Sequence, residues 1–180
     1  MEKYPQRFIN AGIAEQNMTG VAAGMAREGK NVVTYSIGNF PTMRCLEQIR
    51  NDCAYHEANV KIVCVGGGFA YGAHGMSHHA TEDIAIMRAL PNIKVFAPGD
   101  LVETEEVTKA MLKIDGTCYL RLGKGGEKRI HTILKEFEVG KAIKICDGND
   151  IAIFSTGAIL DEAVQARMNL KEKRNKCCPV

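Results

Sequence analysis

Several things are missing from this 180-residue chain, and each absence removes a class of function. No C-x-x-C pair occurs among its seven cysteines (45, 53, 64, 118, 146, 177 and 178). An odd count at irregular spacing argues against a disulfide framework or a zinc knuckle, so most are expected as buried small hydrophobes in a reducing cytoplasm. No apolar run approaches the ~20 residues of a membrane span, and no charged-then-apolar leader opens the chain. Charge of one sign is also lacking: the net value is +2, which speaks against nucleic acid or an anionic membrane as partner. Neither G-x-G-x-x-G nor G-x-x-x-x-G-K-[ST] is found, so dinucleotide and P-loop binding have no support. The closing Cys177-Cys178-Pro179-Val180 superficially fits a prenylation box, but its proline and the absence of other lipidation signals mark a chance match.

What is present is globular composition, 46% hydrophobic and 24% charged, enough for one ordinary domain and part of another. Apolar spacing predicts a helix over 14–28 with Gly29 as its stop, and another over 43–55. Strands are expected at 31–37, 60–65, 93–97 and 117–122. The continuous run Val-Lys-Ile-Val-Cys-Val at 60–65 reads as a strand covered on both faces. Thr81 is expected to cap one helix, and Asp100 another that runs to about Ile114. Strand and helix alternate without internal repeat, so the expected fold is α/β, a mostly parallel sheet with helices on both faces. Residues 123–136, glycine- and charge-rich, read as a linker. Beyond it a strand at 151–155 and a helix over 159–170 begin a second α/β domain, incomplete at about 45 residues.

In a parallel sheet ligands collect beyond the carboxyl ends of the strands, which directs attention to the loops there. Glu15 lies in Gly12-Ile13-Ala14-Glu15-Gln16-Asn17, among apolar and amide neighbours, where a carboxyl can hold and share a proton with a ring nitrogen. The alternative is a helix-start carboxylate stabilised by the macrodipole. Residues 66–79 hold five glycines and three histidines, letting backbone and imidazoles approach a ligand closely. A flexible surface loop, or zinc held by His74, His78 and His79, are the other readings of that stretch. Phe40 and Arg44 can flank a flat ring, or be ordinary packing and surface residues. Arg121 can grip a phosphate bidentately, or simply be solvated.

Taken in order, these segments resemble the pyrimidine-binding domain of the transketolase family of thiamine-diphosphate enzymes. The matching pieces are Gly12 to Asn17, Val21-Ala22-Ala23-Gly24, Phe40 with Arg44 and Gln48, and Gly72-Ala73-His74-Gly75-Met76-Ser77-His78. Glu82-Asp83-Ile84-Ala85, Leu90-Pro91-Asn92, Ala97-Pro98-Gly99-Asp100 and Arg121 follow. The resemblance spans about residues 7 to 165. It implies a pyrimidine domain over 1–122, incomplete at its start, a linker over 123–136, and over 137–180 the beginning of the family's C-terminal domain.

By that resemblance Glu15 would hydrogen-bond the pyrimidine ring nitrogen of thiamine diphosphate and favour the imino tautomer of its amino group. Phe40 and Arg44 would contact the ring. His78 would bond substrate oxygens and move protons, His74 would sit at the substrate, and Arg121 would receive a sugar phosphate. The chain departs from the family loop Gly-x-Asp-Gly-Pro-Thr-His by carrying His74 for Asp, Met76 for Pro, Ser77 for Thr and His79 for Gln, so a different sugar preference is expected. No metal ligands are expected in this chain; Mg²⁺ would be held by a diphosphate-binding N-terminal transketolase subunit, in a homo- or hetero-oligomer. The implied activity is two-carbon ketol transfer between sugar phosphates. A 2-oxoacid dehydrogenase β-type subunit and a non-catalytic remnant that binds a partner are the alternatives.

Overall fold

A computed structural model of the chain describes residues 2–134 and 136–177, so Cys178-Pro179-Val180 and the lipidation match they carry lie outside the described residues. Helix α1 (Glu15–Arg27) leads into β1 (Val32–Ile37). A composite helix follows, made of a 3-10 turn Met43–Cys45, an α turn α2 (Leu46–Gln48) and a π-helical stretch Ile49–Ala54. Then come β2 (Val60–Val65), α3 (Asp83–Ala89), β3 (Lys94–Phe96), α4 (Leu101–Met111), β4 (Cys118–Leu122) and α5 (Leu160–Cys177). The four strands form one sheet in the order β1-β2-β4-β3, every pair parallel. This is the expected α/β architecture.

Alternation along β2 assigns the layers, because successive side chains point to opposite faces. Ile62 and Cys64 pack with Ala22, Ala23 and Ala26 of α1, Ile49, Cys53, Met87 and Tyr119. Val63 packs on the other face with Phe96, Leu120, and Val107 and Met111 of α4. Helices thus cover both faces, and each fully buried aliphatic side chain contributes about 1.5–3 kcal/mol. The small residues of α1 let it lie close to the sheet. Gly29, at φ +80°, ends it with Lys30 N–H donating to Met25 O and Gly29 N–H to Ala26 O, a Schellman stop.

Lys61 is the exception inside the apolar run. It is fully buried, and its ammonium donates to the carbonyls of Ile114 and Gly116, each at 2.6 Å. It therefore ties β2 to the chain that leaves α4 and enters β4. Burial pushes its pKa below the ordinary lysine value.

Other expectations need correction. The N-cap of α3 is Glu82 rather than Thr81, whose hydroxyl donates instead to the Glu82 carboxylate at 2.7 Å. Residues 151–155 form no strand: among the described residues no neighbouring strand lies alongside to supply ladder hydrogen bonds, and β propensity alone does not make a sheet. The helix expected over 159–170 starts as a 3-10 turn at Gly157–Ile159 and continues through Lys171-Glu172-Lys173 to Cys177.

The segment 123–134 has no regular structure, yet it is fastened. Asp100 Oδ2 accepts the backbone N–H groups of Ile130 and His131 at 2.9 and 2.8 Å. Among the described residues no helix is long and apolar enough to cross a membrane.

Candidate functional site

The loops beyond β1 and β2 converge at the carboxyl edge of the sheet. Gly38, just after β1, has no room for a side chain, since a Cβ there would meet Ala80 Cβ at 2.8 Å. That close approach brings Asn39 and Phe40 against the 66–80 loop, where Asn39 Nδ2 donates to Ser77 O. The loop is closed at its feet by paired bonds, Gly68 N–H to Ala80 O at 2.7 Å and Ala80 N–H to Gly68 O at 3.0 Å. Inside it, His79 Nε2 lies 2.9 Å from Gly72 O and His74 Nδ1 2.9 Å from Tyr71 O. His78 Nδ1 lies 3.0 Å from Ser77 Oγ. It is an anchored loop, not a loose surface excursion.

Glu15 opens α1 and is only 7% exposed. Its neighbours are not solely apolar and amide: Arg44 Nη1 lies 3.0 Å from its Oε2. The same guanidinium stands 4.4 Å from the centroid of Phe40, and the Phe40 ring meets His78 edge-on at 5.1 Å. His78 in turn lies 5.1 Å from His74 and 5.9 Å from Tyr71. Carboxylate, guanidinium, aromatic face and imidazoles thus form a continuous row. Beneath it, Cys45 donates its thiol to Phe40 O; burial pushes that thiol up, so it stays a neutral donor that steadies the Phe40 backbone.

Arg121 is placed differently. Its Nε lies 3.1 Å from Asp83 Oδ2, at an angle short of a hydrogen bond, and Nη2 donates to Ala80 O at 2.9 Å. Asp83 is 1% exposed and also accepts the Tyr119 hydroxyl at 2.6 Å, while its Oδ1 finds no hydrogen-bond partner. Burial pushes the Tyr119 phenol far up, which keeps it a donor. Arg121 is therefore joined to the row through the loop it holds at Ala80, not by contact with Glu15 or Phe40. Asp83 and Tyr119 went unnoticed in the sequence, where Asp83 read only as a first-turn acid.

A second polar cluster lies away from this row. Asp100, Glu103 and His131 bring three metal-capable atoms within 4.8 Å of one another. Their lone pairs are already engaged: Asp100 takes N–H groups from Glu103, Ile130 and His131, and Glu103 Oε2 takes that of Gly99. The cluster is a clasp between α4 and the following segment. A cleft of about 580 Å³ lies beside it, between residues 95–99 and 137–157, and contains none of the row's side chains.

Comparison with known proteins gives a consistent result. The sequence model of the family described as "Transketolase, pyrimidine binding domain" matches residues 1–126. A putative transketolase C-terminal section from Methanocaldococcus jannaschii is 43% identical over 95% of this chain and 55% of that protein. One of the subunits of an apulose-4-phosphate transketolase from Phocaeicola vulgatus is 37% identical over 96% of this chain and 55% of its own length. Among solved structures, "Split gene transketolase, inactive beta4 tetramer" superposes with a TM-score of 0.86 at 37% identity, over 96% of this chain and 55% of that one. The chain thus spans about half the length of the curated relatives it matches.

Proposed function

Since this chain belongs to the transketolase family through its pyrimidine-binding domain, we propose that it is the pyrimidine-binding part of a split thiamine-diphosphate enzyme that transfers a two-carbon ketol unit between sugar phosphates. The observation that carries this reading is the behaviour of Arg44. Its flat, N–H-bearing guanidinium reaches the Glu15 carboxylate at 3.0 Å and lies over Phe40 at 4.4 Å. A planar ring with a hydrogen-bonding nitrogen can satisfy the same two contacts, and the Arg44 side chain, 48% exposed, is free to move aside. The residues present therefore fit the cofactor's aminopyrimidine.

When bound, thiamine diphosphate supplies the nucleophilic carbon and electron sink needed to break a carbon–carbon bond beside a ketose carbonyl. Glu15 holds a proton at the pyrimidine nitrogen, and its burial at the start of α1 keeps water from competing for it. Phe40 and Arg44 flank the ring. His78, fixed by Phe40, Tyr71 and Ser77, hydrogen-bonds substrate oxygens and moves a proton. His74 stands beside it as the residue that meets a sugar hydroxyl, and the outer edge of Arg121 faces the phosphate. Mg²⁺ and the diphosphate belong to an N-terminal subunit, so this chain is inactive alone. The similar split-gene protein solved as an inactive β4 tetramer supports that dependence. The transketolase names of the similar proteins from Methanocaldococcus jannaschii and Phocaeicola vulgatus favour ketol transfer over 2-oxoacid decarboxylation.

The test is co-expression with a diphosphate-binding partner subunit, followed by coupled assays with xylulose 5-phosphate and with pyruvate as donors. Ketol transfer from the sugar phosphate is expected. Glu15→Gln should lower kcat about 100-fold or more, the scale of a lost proton-transfer group, while the complex still assembles. Full activity in Glu15→Gln, or decarboxylation of pyruvate without ketol transfer, refutes the proposal.

A further inference from the structure

Arg121 carries less free charge than a lone arginine at a strand end. Asp83, buried against it, compensates the guanidinium, and the Ala80 carbonyl takes one of its N–H groups. A phosphate monoester carries about −1.5 to −2 at neutral pH. A second, uncompensated cation is needed to hold such a group.

Lys124 stands three residues beyond Arg121, past the carboxyl end of β4, where ligands of parallel sheets gather. Its ammonium lies 4.8 Å from the centroid of the Tyr71 ring. That ring is 5.8 Å from His74 and 5.9 Å from His78, so Lys124 extends the row that begins at Glu15. Both cations also reach the same turn. The Tyr71 ring fills the space a Cβ on Gly66 would take, and the Arg121 guanidinium fills that of Gly67.

The turn bearing Lys124 is ordered. The Glu127 carboxylate folds over Gly123 and accepts the N–H of Gly125 at 3.3 Å. Gly125 and Gly126, at φ +110° and +91°, leave open space beside Lys124. Lys109, Lys128, Lys141 and Lys144 each meet a carboxylate. Among the described residues Lys124 meets none.

We propose that Lys124 is a specificity-determining residue, the cation that receives the phosphate end of a sugar phosphate at the mouth formed by Tyr71 and the Gly66–Gly68 turn. The identity of the ligand as a sugar phosphate rests on the function proposed above; capture of the anion does not require turnover. Two arms keep these separable.

In the first, the full chain is titrated with inorganic phosphate and followed by NMR. Saturable shifts are expected at the Gly125 and Gly126 amides and the Tyr71 ring, and they should vanish in Lys124→Gln. No shifts there, or identical shifts in the variant, overturn the proposal whatever the enzyme does.

In the second, the complex with its partner subunit is assayed. Lys124→Gln should raise KM for a phosphorylated ketose about tenfold, as loss of a charge-assisted contact does. It should leave kcat within about twofold and an unphosphorylated ketose unaffected, and Lys124→Arg should restore KM. An unchanged KM ratio in an active complex overturns the role of Lys124 and leaves the proposed reaction standing. A complex without ketol transfer that still shows the phosphate shifts keeps the anion site and removes the reaction.

Discussion

Replacing Asp100 by asparagine should loosen the junction between the sheet domain and the rest of the chain. The Asp100 side chain is fully buried and its carboxylate accepts four donors: Glu103 N–H at 2.8 Å, the N–H groups of Ile130 and His131, and the His131 ring at 3.2 Å. Asparagine can keep the cap on Glu103 through its oxygen. Its amide group then faces the Ile130 and His131 donors, which are left without acceptors. Each unsatisfied buried donor costs about 1–3 kcal/mol, so a loss of about 3 kcal/mol is expected, and Asp100→Ala should cost about 1 kcal/mol more through the missing cap.

In urea, with m near 2 kcal/mol per molar, the asparagine variant should unfold about 1.5 M earlier by circular dichroism. Limited proteolysis within residues 123–134 should be faster. Burial alone would push the Asp100 carboxyl up, but the backbone N–H groups of Glu103, His131 and Ile130, with the His131 ring, outweigh it and hold the carboxyl below the ordinary aspartate range. The stability it contributes is therefore present above about pH 4, the unfolded value, and fades as pH falls through the depressed native one. Asp100→Asn should flatten that part of the acid limb. A variant within about 0.5 kcal/mol of the parent, with the same acid limb, would refute the clasp.

Lys61→Met should cost about 2–3 kcal/mol in urea unfolding, because two buried carbonyls lose their donor; a neutral or stabilising effect would show that water replaces the ammonium. Burial pushes the Cys53 and Cys64 thiols up to about 12, so iodoacetamide at pH 8 should label exposed Cys146 and spare both in the native chain, as read by peptide mapping; equal labelling would contradict the packing. His74→Asp should change kcat/KM ratios among sugar acceptors by about tenfold or more in the assembled enzyme. Unchanged ratios would remove His74 from the substrate site.

The sheet was legible because each of its strands carries local evidence: β-branched runs bounded by glycine or proline, with helical periodicity between them. Glu15, Phe40, Arg44 and His78 were legible as candidates because they follow or face strand ends, and the fold brings these four into one row. Pairings across long stretches of chain were not. Asp83 reads as a helix-start acid until Tyr119 and Arg121 are seen to meet it. Lys61 reads as a defect in an apolar strand until the two carbonyls beyond α4 close over its ammonium. Residues 151–155 fail in the opposite sense, since their propensity is local but a strand requires a neighbour. Lys124 carried no signal at all in a glycine-rich stretch that read as linker.

The guanidinium of Arg44 already rests on both the acid and the aromatic face that an entering ring must use. Any newcomer competes with an occupant belonging to the chain, so its observed affinity is lowered by the fraction of time the arginine stays at home. A flat hydrocarbon regains only the stacking and cannot evict it. A ring offering a hydrogen-bonding nitrogen regains both contacts, and the cradle thereby screens its visitors before any partner closes over them.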